Sequence, residues 1–334
     1  MEDVKQIVTD IKQKNLKPIY ILMGEEAYYI DKISDFIEVN VLSEEEKGFN
    51  QMVMYGRDVT VEDVVGQAKR FPMMAEHQVV IVKEAQDLSR SIDKLSAYAK
   101  NPQPSTILVL CYKYKKIDKR KALYKEAKRT GVVFESKKLY ENKIPDWIRR
   151  VLSPKNYTIE PKAAIMLAEF LGTDLGKINN ELEKLQIVLP VGTQITAQHI
   201  EENIGISKDY NNFELQKAIG VKDKIKAFKI VHYFADNPKD NPMVVTVSIL
   251  FNYFSQLLKL HGLLDKNPRN VASKLGINPY FVSDYITASK HYPMRQVSQV
   301  IGTIREFDLK SKGVNANAVP QGDLLKEMLV RIMG

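Results

Sequence analysis

Chemistry on phosphate groups needs a glycine-rich loop and a lysine, and the first apolar run of this chain ends where such a loop would stand. The residues there are Met23-Gly24-Glu25-Glu26-Ala27-Tyr28-Tyr29-Ile30, with one glycine, two carboxylates and no Lys-Ser/Thr. A phosphate cradle requires backbone N–H groups in a glycine-rich turn plus a lysine on the phosphates. Glu25 and Glu26 at a helix start satisfy the macrodipole themselves and repel a triphosphate. Lys83-Glu84-Ala85-Gln86-Asp87 resembles the acidic end of a nucleotide site only superficially, and its carboxylates read as loop and cap residues. His77, His199, His232, His261 and His291 stand apart without HxxxH or HExxH spacing, which argues for structural or exposed roles. No GxSxG nucleophile elbow occurs. Cys111 ends an apolar run and reads as a buried strand residue. These absences predict a binding or mechanical protein that is not an enzyme and holds neither cofactor nor metal.

Three segments offer binding chemistry instead. Lys69-Arg70-Phe71-Pro72-Met73-Met74-Ala75-Glu76 stands directly before the β-branched run Gln78–Val82. Pro72 pushes Phe71 out of the helical region and ends the preceding helix. Met73 and Met74 are unbranched and polarizable, and pointing outward they would form an adaptable apolar plug; pointing inward they would cover the sheet edge. The second segment is Cys111–Arg129, with nine basic residues against two acidic ones. It carries nearly the whole net charge of +8. Lys113, Lys115, Lys116, Lys119, Arg120 and Lys121 are candidate contacts for DNA phosphates or an acidic protein surface. The interleaved Tyr112, Tyr114 and Tyr124 would favour nucleic acid if exposed. The third segment, Val271–Tyr285, has helix-turn-helix grammar: a glycine turn at Gly276, a cap at Asn278 and a proline at Pro279. Its second helix, however, offers Tyr280, Phe281, Asp284 and Tyr285 in place of base-reading side chains. A free-standing DNA-binding regulator is the alternative this segment supports.

Positioning such residues takes elements, and the apolar pattern supplies two kinds. Up to about Leu139, short β-rich runs (Pro18–Met23, Asn50–Tyr55, Gln78–Val82, Ser105–Leu110, Val132–Phe134) alternate with helical periodicity (Ala27–Asn40, Val61–Arg70, Ser91–Lys100, Asp118–Arg129). Continuous apolar strands suit a parallel sheet covered on both faces, so a three-layer α/β domain is expected. Beyond Leu139 no convincing strand is legible. Four short helices (Ile144–Leu152, Pro161–Leu171, Asp174–Leu189, Thr196–Asn203) are followed by a longer helical region from Asn211 to Gly334. Thr173-Asp174 and Thr196 are expected N-caps, and Gly172 and Gly205 terminators. The 334 residues, 44% hydrophobic and 27% charged, suffice for two or three domains with their own cores. One cysteine excludes a disulfide scaffold. The N-terminus lacks an apolar signal-like region, and no apolar run reaches 18 residues; Met243–Leu250 comes nearest. A soluble protein of a reducing compartment, the cytoplasm, follows as the expectation.

The order of these segments resembles the delta-subunit family of the bacterial DNA polymerase III clamp loader over nearly the full length. PIYILMGEEAYYIDKI is similar to the family's opening strand and degenerate phosphate-loop region, and FPMMAEHQVVIVKEAQDL to its third-strand region. AAIMLAEFLGTDLGKINNELEKL resembles the helical lid and is followed by ITAQHIEENIG. LGINPYFVSDY and FDLKSKG, with Asp308 and Lys312 four apart, resemble the collar helices. The resemblance implies an AAA+/RecA-like α/β core without a functional P-loop at 1–140, a small helical lid domain at 141–208 and an all-α collar at 209–334. It implies a subunit without ATPase activity, the ATP being bound by partner subunits. The implied partners are the ring-shaped sliding clamp (beta subunit), the gamma/tau and delta-prime subunits and primed DNA, with no membrane. The family inserts a hydrophobic pair into a clamp pocket; by position this is Met73-Met74, with Phe71 beside it. An apolar collar surface for other subunits is expected, with Tyr253, Phe254 and Leu257 as candidates.

Overall fold

The computed structural model describes residues 2–207, 209–314 and 319–334. The chain separates into two compact units, Met1–Leu139 and Tyr140–Gly334. Lys208, at the expected end of the lid domain, and residues 315–318 of the expected collar lie outside the described residues.

The first unit runs α1 (Glu2–Lys12), β1 (Ile19–Gly24), α2 (Ala27–Asn40), α3 (Glu44–Asn50), β2 (Gln51–Tyr55), α4 (Val61–Ala68), β3 (Gln78–Lys83), α5 (Ser96–Lys100), β4 (Thr106–Lys113), α6 (Ala122–Thr130) and β5 (Val132–Ser136). All five strands are parallel in the order β2-β3-β4-β1-β5. Each inner strand feeds two cores because its side chains alternate faces. Ile19, Ile21 and Met23 of β1 join Val80, Leu108 and Leu110 on one side. Tyr20 and Leu22 join Val79, Ile81, Ile107, Val109 and Cys111 on the other, against α1 and α2. This double burial explains why β1, β3 and β4 read as unbroken apolar runs. β2 lies at the edge, and its side chains are half-buried or exposed.

Gly24 closes β1 with φ +130°, and a Cβ there would stand 2.0 Å from the Ser136 carbonyl oxygen. The glycine after the first strand therefore serves the close approach of β1 to β5. Helices α1 and α3 are additional to the sequence expectation. Ser43 and Glu46 form a capping box that starts α3 immediately before β2. Two expected helices are shorter than their periodicity. Ile92–Leu95 is a 3₁₀ turn leading into α5. The segment expected from Asp118 becomes helical only at Ala122. Asp118 accepts the Arg120 backbone N–H at 2.9 Å, a local turn that competes with helix.

The second unit runs α7 (Ile144–Leu152), β6 (Thr158–Ile159), α8 (Pro161–Leu171), α9 (Leu175–Val188), β7 (Gln194–Ile195), α10 (Ala197–Ile204), α11 (Asn212–Gly220), α12 (Lys224–Asp236), α13 (Met243–His261), α14 (Pro268–Leu275), α15 (Val282–His291), α16 (Met294–Ser311) and α17 (Gln321–Met333). The expectation of no strand here is corrected: β6 and β7 pair in parallel. At two residues each they fall below any periodic signal, and burial of Ile159 and Ile195 holds them. Asp174 caps α9 by accepting the Lys177 N–H (3.0 Å), and Thr196 caps α10 in a reciprocal box with His199. Gly172 and Gly205 stand at the C-caps of α8 and α10, both with positive φ. Buried Glu214 of α11 pairs with Lys162 of α8 (2.7 Å) and Lys226 of α12.

Helices α11 to α17 share one core, threaded by α13. By length and composition α13 could cross a membrane, yet Thr246, Leu250, Phe254, Leu257 and Leu260 are buried among its neighbours. It is the central helix of this core. Tyr253, Phe254 and Leu257, expected as a surface for other subunits, are therefore corrected to core residues.

Candidate functional site

The segment between α4 and β3 is fastened through its backbone and open at its side chains. Its first anchor lies under the end of α4, where the last carbonyls need partners. Thr106 Oγ1 and Tyr98 OH both donate to the Ala68 carbonyl, at 2.8 and 3.2 Å. Gln78 Nε2 reaches the carbonyls of Gln67 (3.3 Å) and Arg70 and the Thr106 hydroxyl (2.7 Å). The second anchor is Asn50, buried at the end of α3. Met73 N–H donates to Asn50 Oδ1 (2.6 Å), and Asn50 Nδ2 donates back to the Met73 carbonyl (3.0 Å). A third bond from Asn50 Nδ2 to the Glu46 carbonyl (3.1 Å) holds the amide itself in place.

The side chains on this fastened backbone face solvent. Phe71 is 77% exposed, Met73 62%, and Met74 fully. Met74 has φ +56°, a left-handed conformation that costs a residue with a Cβ about 1 kcal/mol. The chain thus holds strain at the most exposed residue of this loop. Of the two positions open to the methionines, outward or over the sheet edge, they occupy the outward one.

The basic segment is arranged differently from its expected role. Lys113 is corrected as a phosphate contact. Its side chain is only 12% exposed, and its Nζ lies 2.8 Å from both Asp31 and Glu84. Burial alone would lower its pKa, but the two carboxylates outweigh burial and hold it above the ordinary lysine value. Glu84 is held below its ordinary value: burial pushes it up, and hydrogen bonds from Lys113 and Gln86 overcome this. Lys116 bridges Glu135 (3.0 Å) and Glu25 (3.3 Å), and Lys119 also pairs with Glu135 (3.1 Å). Arg120 holds Asp118 at 2.6 Å, and its hydrogen bonds depress that carboxyl to about 2. Lys115 and Lys121 are exposed and, among the described residues, make no ion pair. Tyr112 is buried and Tyr124 half-buried; Tyr114 alone of the three tyrosines is exposed.

These ion pairs lie at the C-terminal ends of β1, β3, β4 and β5, the end of a parallel α/β sheet where ligands ordinarily bind. The position of a nucleotide phosphate loop is thus occupied by Glu25 and Glu26, with Glu26 capping α2 through the Tyr28 N–H (3.1 Å). The Phe71–Met74 loop enters the N-terminal end of β3, at the opposite end of the same sheet.

The helix-turn-helix segment is present as α14, a turn and α15, with Gly276 left-handed and Asn278 capping the Tyr280 N–H (3.0 Å). Its aromatic residues pack: Phe281 lies 4.7 Å from Phe213 and Tyr285 5.0 Å from Tyr253, centroid to centroid. The reading of this segment as a DNA-binding regulator is therefore not supported. Asp308 and Lys312 form an ion pair at 2.7 Å near the end of α16.

What sequence reasoning missed at the methionine loop is Asn50. It lies 23 residues upstream, and only its immediate succession by a strand marks it.

Two family models match the chain, one described as DNA polymerase III, delta subunit over residues 20–137, the other as DNA polymerase III delta subunit, C-terminal domain over residues 209–326. A DNA polymerase III subunit delta of Bacillus subtilis is 24% identical over 314 residues, 90% of each chain. The solved structure of a Bacillus subtilis DNA clamp loader delta protein superposes with a TM-score of 0.56 at 22% identity, over 99% of each chain. The α/β unit with its parallel sheet and the helical second unit are thus one known fold. The two models, matching both ends of the chain in order, establish that it belongs to the DNA polymerase III delta-subunit family.

Proposed function

We propose that this chain binds a ring-shaped sliding clamp through Met73 and Met74, with Phe71 beside them, and opens the ring for loading onto primed DNA. The observation that carries the reading is the methionine loop itself: two large apolar side chains exposed on a backbone held by Asn50 and strained at Met74. A plug that is ordered before it docks loses less conformational entropy on binding. Methionine suits a pocket contact because its side chain adapts in shape and is polarizable.

The mechanism follows from differential affinity. A closed ring has a minor open state, and a ligand that binds the open form more tightly raises its population. The plug anchors the first unit beside one ring interface, and the rigid five-stranded sheet behind it biases that interface apart. This chain performs no ATP hydrolysis in the reading; partner subunits (gamma/tau and delta prime) bind the ATP and control access to the plug. Ion pairs at the C-terminal end of the sheet support that division of labour, because carboxylates stand where phosphates would need cations. The second unit supplies a lid-like part before residue 209 and a collar after it, which holds the chain among the partner subunits. Lys115 and Lys121 remain as phosphate contacts for DNA. The cytoplasm is the compartment of this activity.

The test is binding of the purified chain to its own sliding clamp, wild type beside Met73→Ala/Met74→Ala. Micromolar or tighter binding that weakens at least tenfold, about 1.4 kcal/mol, is expected. Binding that survives the double substitution would move the contact elsewhere, and absence of any binding would overturn the clamp reading.

A further inference from the structure

The first unit places a fourth large apolar side chain at the same end of the sheet as the plug. Phe49, in the last turn of α3, is 77% exposed, as much as Phe71. It directly precedes Asn50, the residue that hydrogen-bonds both backbone groups of Met73. α3 enters β2 and the methionine loop enters β3, and these are adjacent parallel strands with β2 outermost. Phe49 and the plug are therefore carried on two segments that meet at one pair of hydrogen bonds.

The distribution of exposed apolar side chains points the same way. Among the described residues of the first unit, eight large hydrophobic side chains are strongly exposed. Five of them, Phe49, Met52, Phe71, Met73 and Met74, belong to the start of β2 or to the segments entering β2 and β3. Single exposed hydrophobics scattered over a surface are ordinary, whereas a cluster of this kind marks an interaction surface. Folding gives no return for leaving Phe49 in water: α3 buries Asn50 and leaves the ring outside.

We infer that Phe49 is a second anchor for the partner that receives Met73 and Met74, so that the docking surface comprises two segments tied at Asn50. The inference rests on the clamp-binding reading, and it fixes the partner's surface as one with two apolar depressions or one elongated groove. Aromatic anchors beside a flexible apolar pair divide the work: the ring contributes rigid area, and the methionines fit the remaining shape.

The experiment measures affinity of the full chain for its own sliding clamp, with Phe49→Ala beside Met73→Ala/Met74→Ala and wild type. Phe49→Ala is expected to weaken binding at least fivefold while leaving the thermal midpoint in place, since the ring is exposed. A benzophenone amino acid at position 49 is expected to cross-link to the clamp on irradiation. Affinity within twofold of wild type for Phe49→Ala, with no cross-link, while the methionine variant loses tenfold, would overturn the second anchor and leave the plug standing. Wild-type chain that fails to bind the clamp would overturn both. If Phe49→Ala lowers the thermal midpoint, the cross-link alone decides.

Discussion

Asn50 illustrates how a buried side chain can hold an exposed loop in place. Its amide accepts from and donates to Met73, and its position is set by the end of α3. Each such bond contributes about 1 kcal/mol net. Asn50→Ala should lower stability by about 1–2 kcal/mol and speed amide exchange at Met73 above that of the neighbouring strands. It should also weaken clamp binding several-fold, and that effect should vanish in the Met73→Ala/Met74→Ala background, the outcome a double-mutant cycle reads. An Asn50→Ala chain with wild-type exchange at Met73 would show that the loop is held by other means. The methionines themselves were legible as a plug candidate from Pro72 and the strand that follows. Their outward position was not, because periodicity does not distinguish a side chain that covers an edge from one that leaves it. The basic residues of 111–129 show the converse. Their charge was plain in the sequence, but the carboxylates that consume it, Asp31, Glu84 and Glu135, are brought there by other elements.

Elements in this chain are mostly set by short-range signals: Ser43, Thr60, Asp174 and Thr196 cap their helices through their own side chains. α8 carries a group with a different consequence. Glu169 is pushed up to about 8, chiefly by burial, with Glu141 and Glu214 adding repulsion. A carboxyl whose folded pKa exceeds its unfolded value keeps a proton that the unfolded chain has lost, so stability declines as pH rises from the ordinary glutamate range to about 8. Glu169→Gln should remove this decline. Its thermal midpoint should equal that of wild type near pH 4 and exceed it increasingly between pH 5 and 8, as measured by calorimetry. Parallel pH profiles for the two chains would contradict the burial of the charge. Where element boundaries departed from periodicity, local hydrogen bonds decided, as at Asp118, or partners distant in sequence did, as for β6 and β7.

At the scale of the molecule, the first unit uses the two ends of its sheet for opposite purposes. One end is closed by Lys113, Lys116 and their carboxylates; the other presents the apolar side chains. Because the two lie at opposite ends of the strands, they should behave independently. Lys113→Met should cost about 1–3 kcal/mol, from leaving the partly exposed Asp31 and Glu84 without their cation, and should leave clamp affinity within twofold of wild type. Loss of affinity on that substitution, at a temperature where the chain stays folded, would show the ends to be coupled. The alternation of strands and helices, the doubly buried parallel sheet, the largely helical later half and the absence of a Lys-Ser/Thr pair after Gly24 were determined by sequence alone. Each depends on residue types within a few positions of one another: β-branched runs, caps, glycines and the absence of a lysine. Which lysines remain free, which aromatic residues of α13 and α15 turn inward, and that Asn50, next to Phe49 in the chain, bonds Met73 were decided only by the tertiary structure. Those outcomes depend on which residues far apart in the chain are brought within a few ångströms, and strand order and helix packing set that distance.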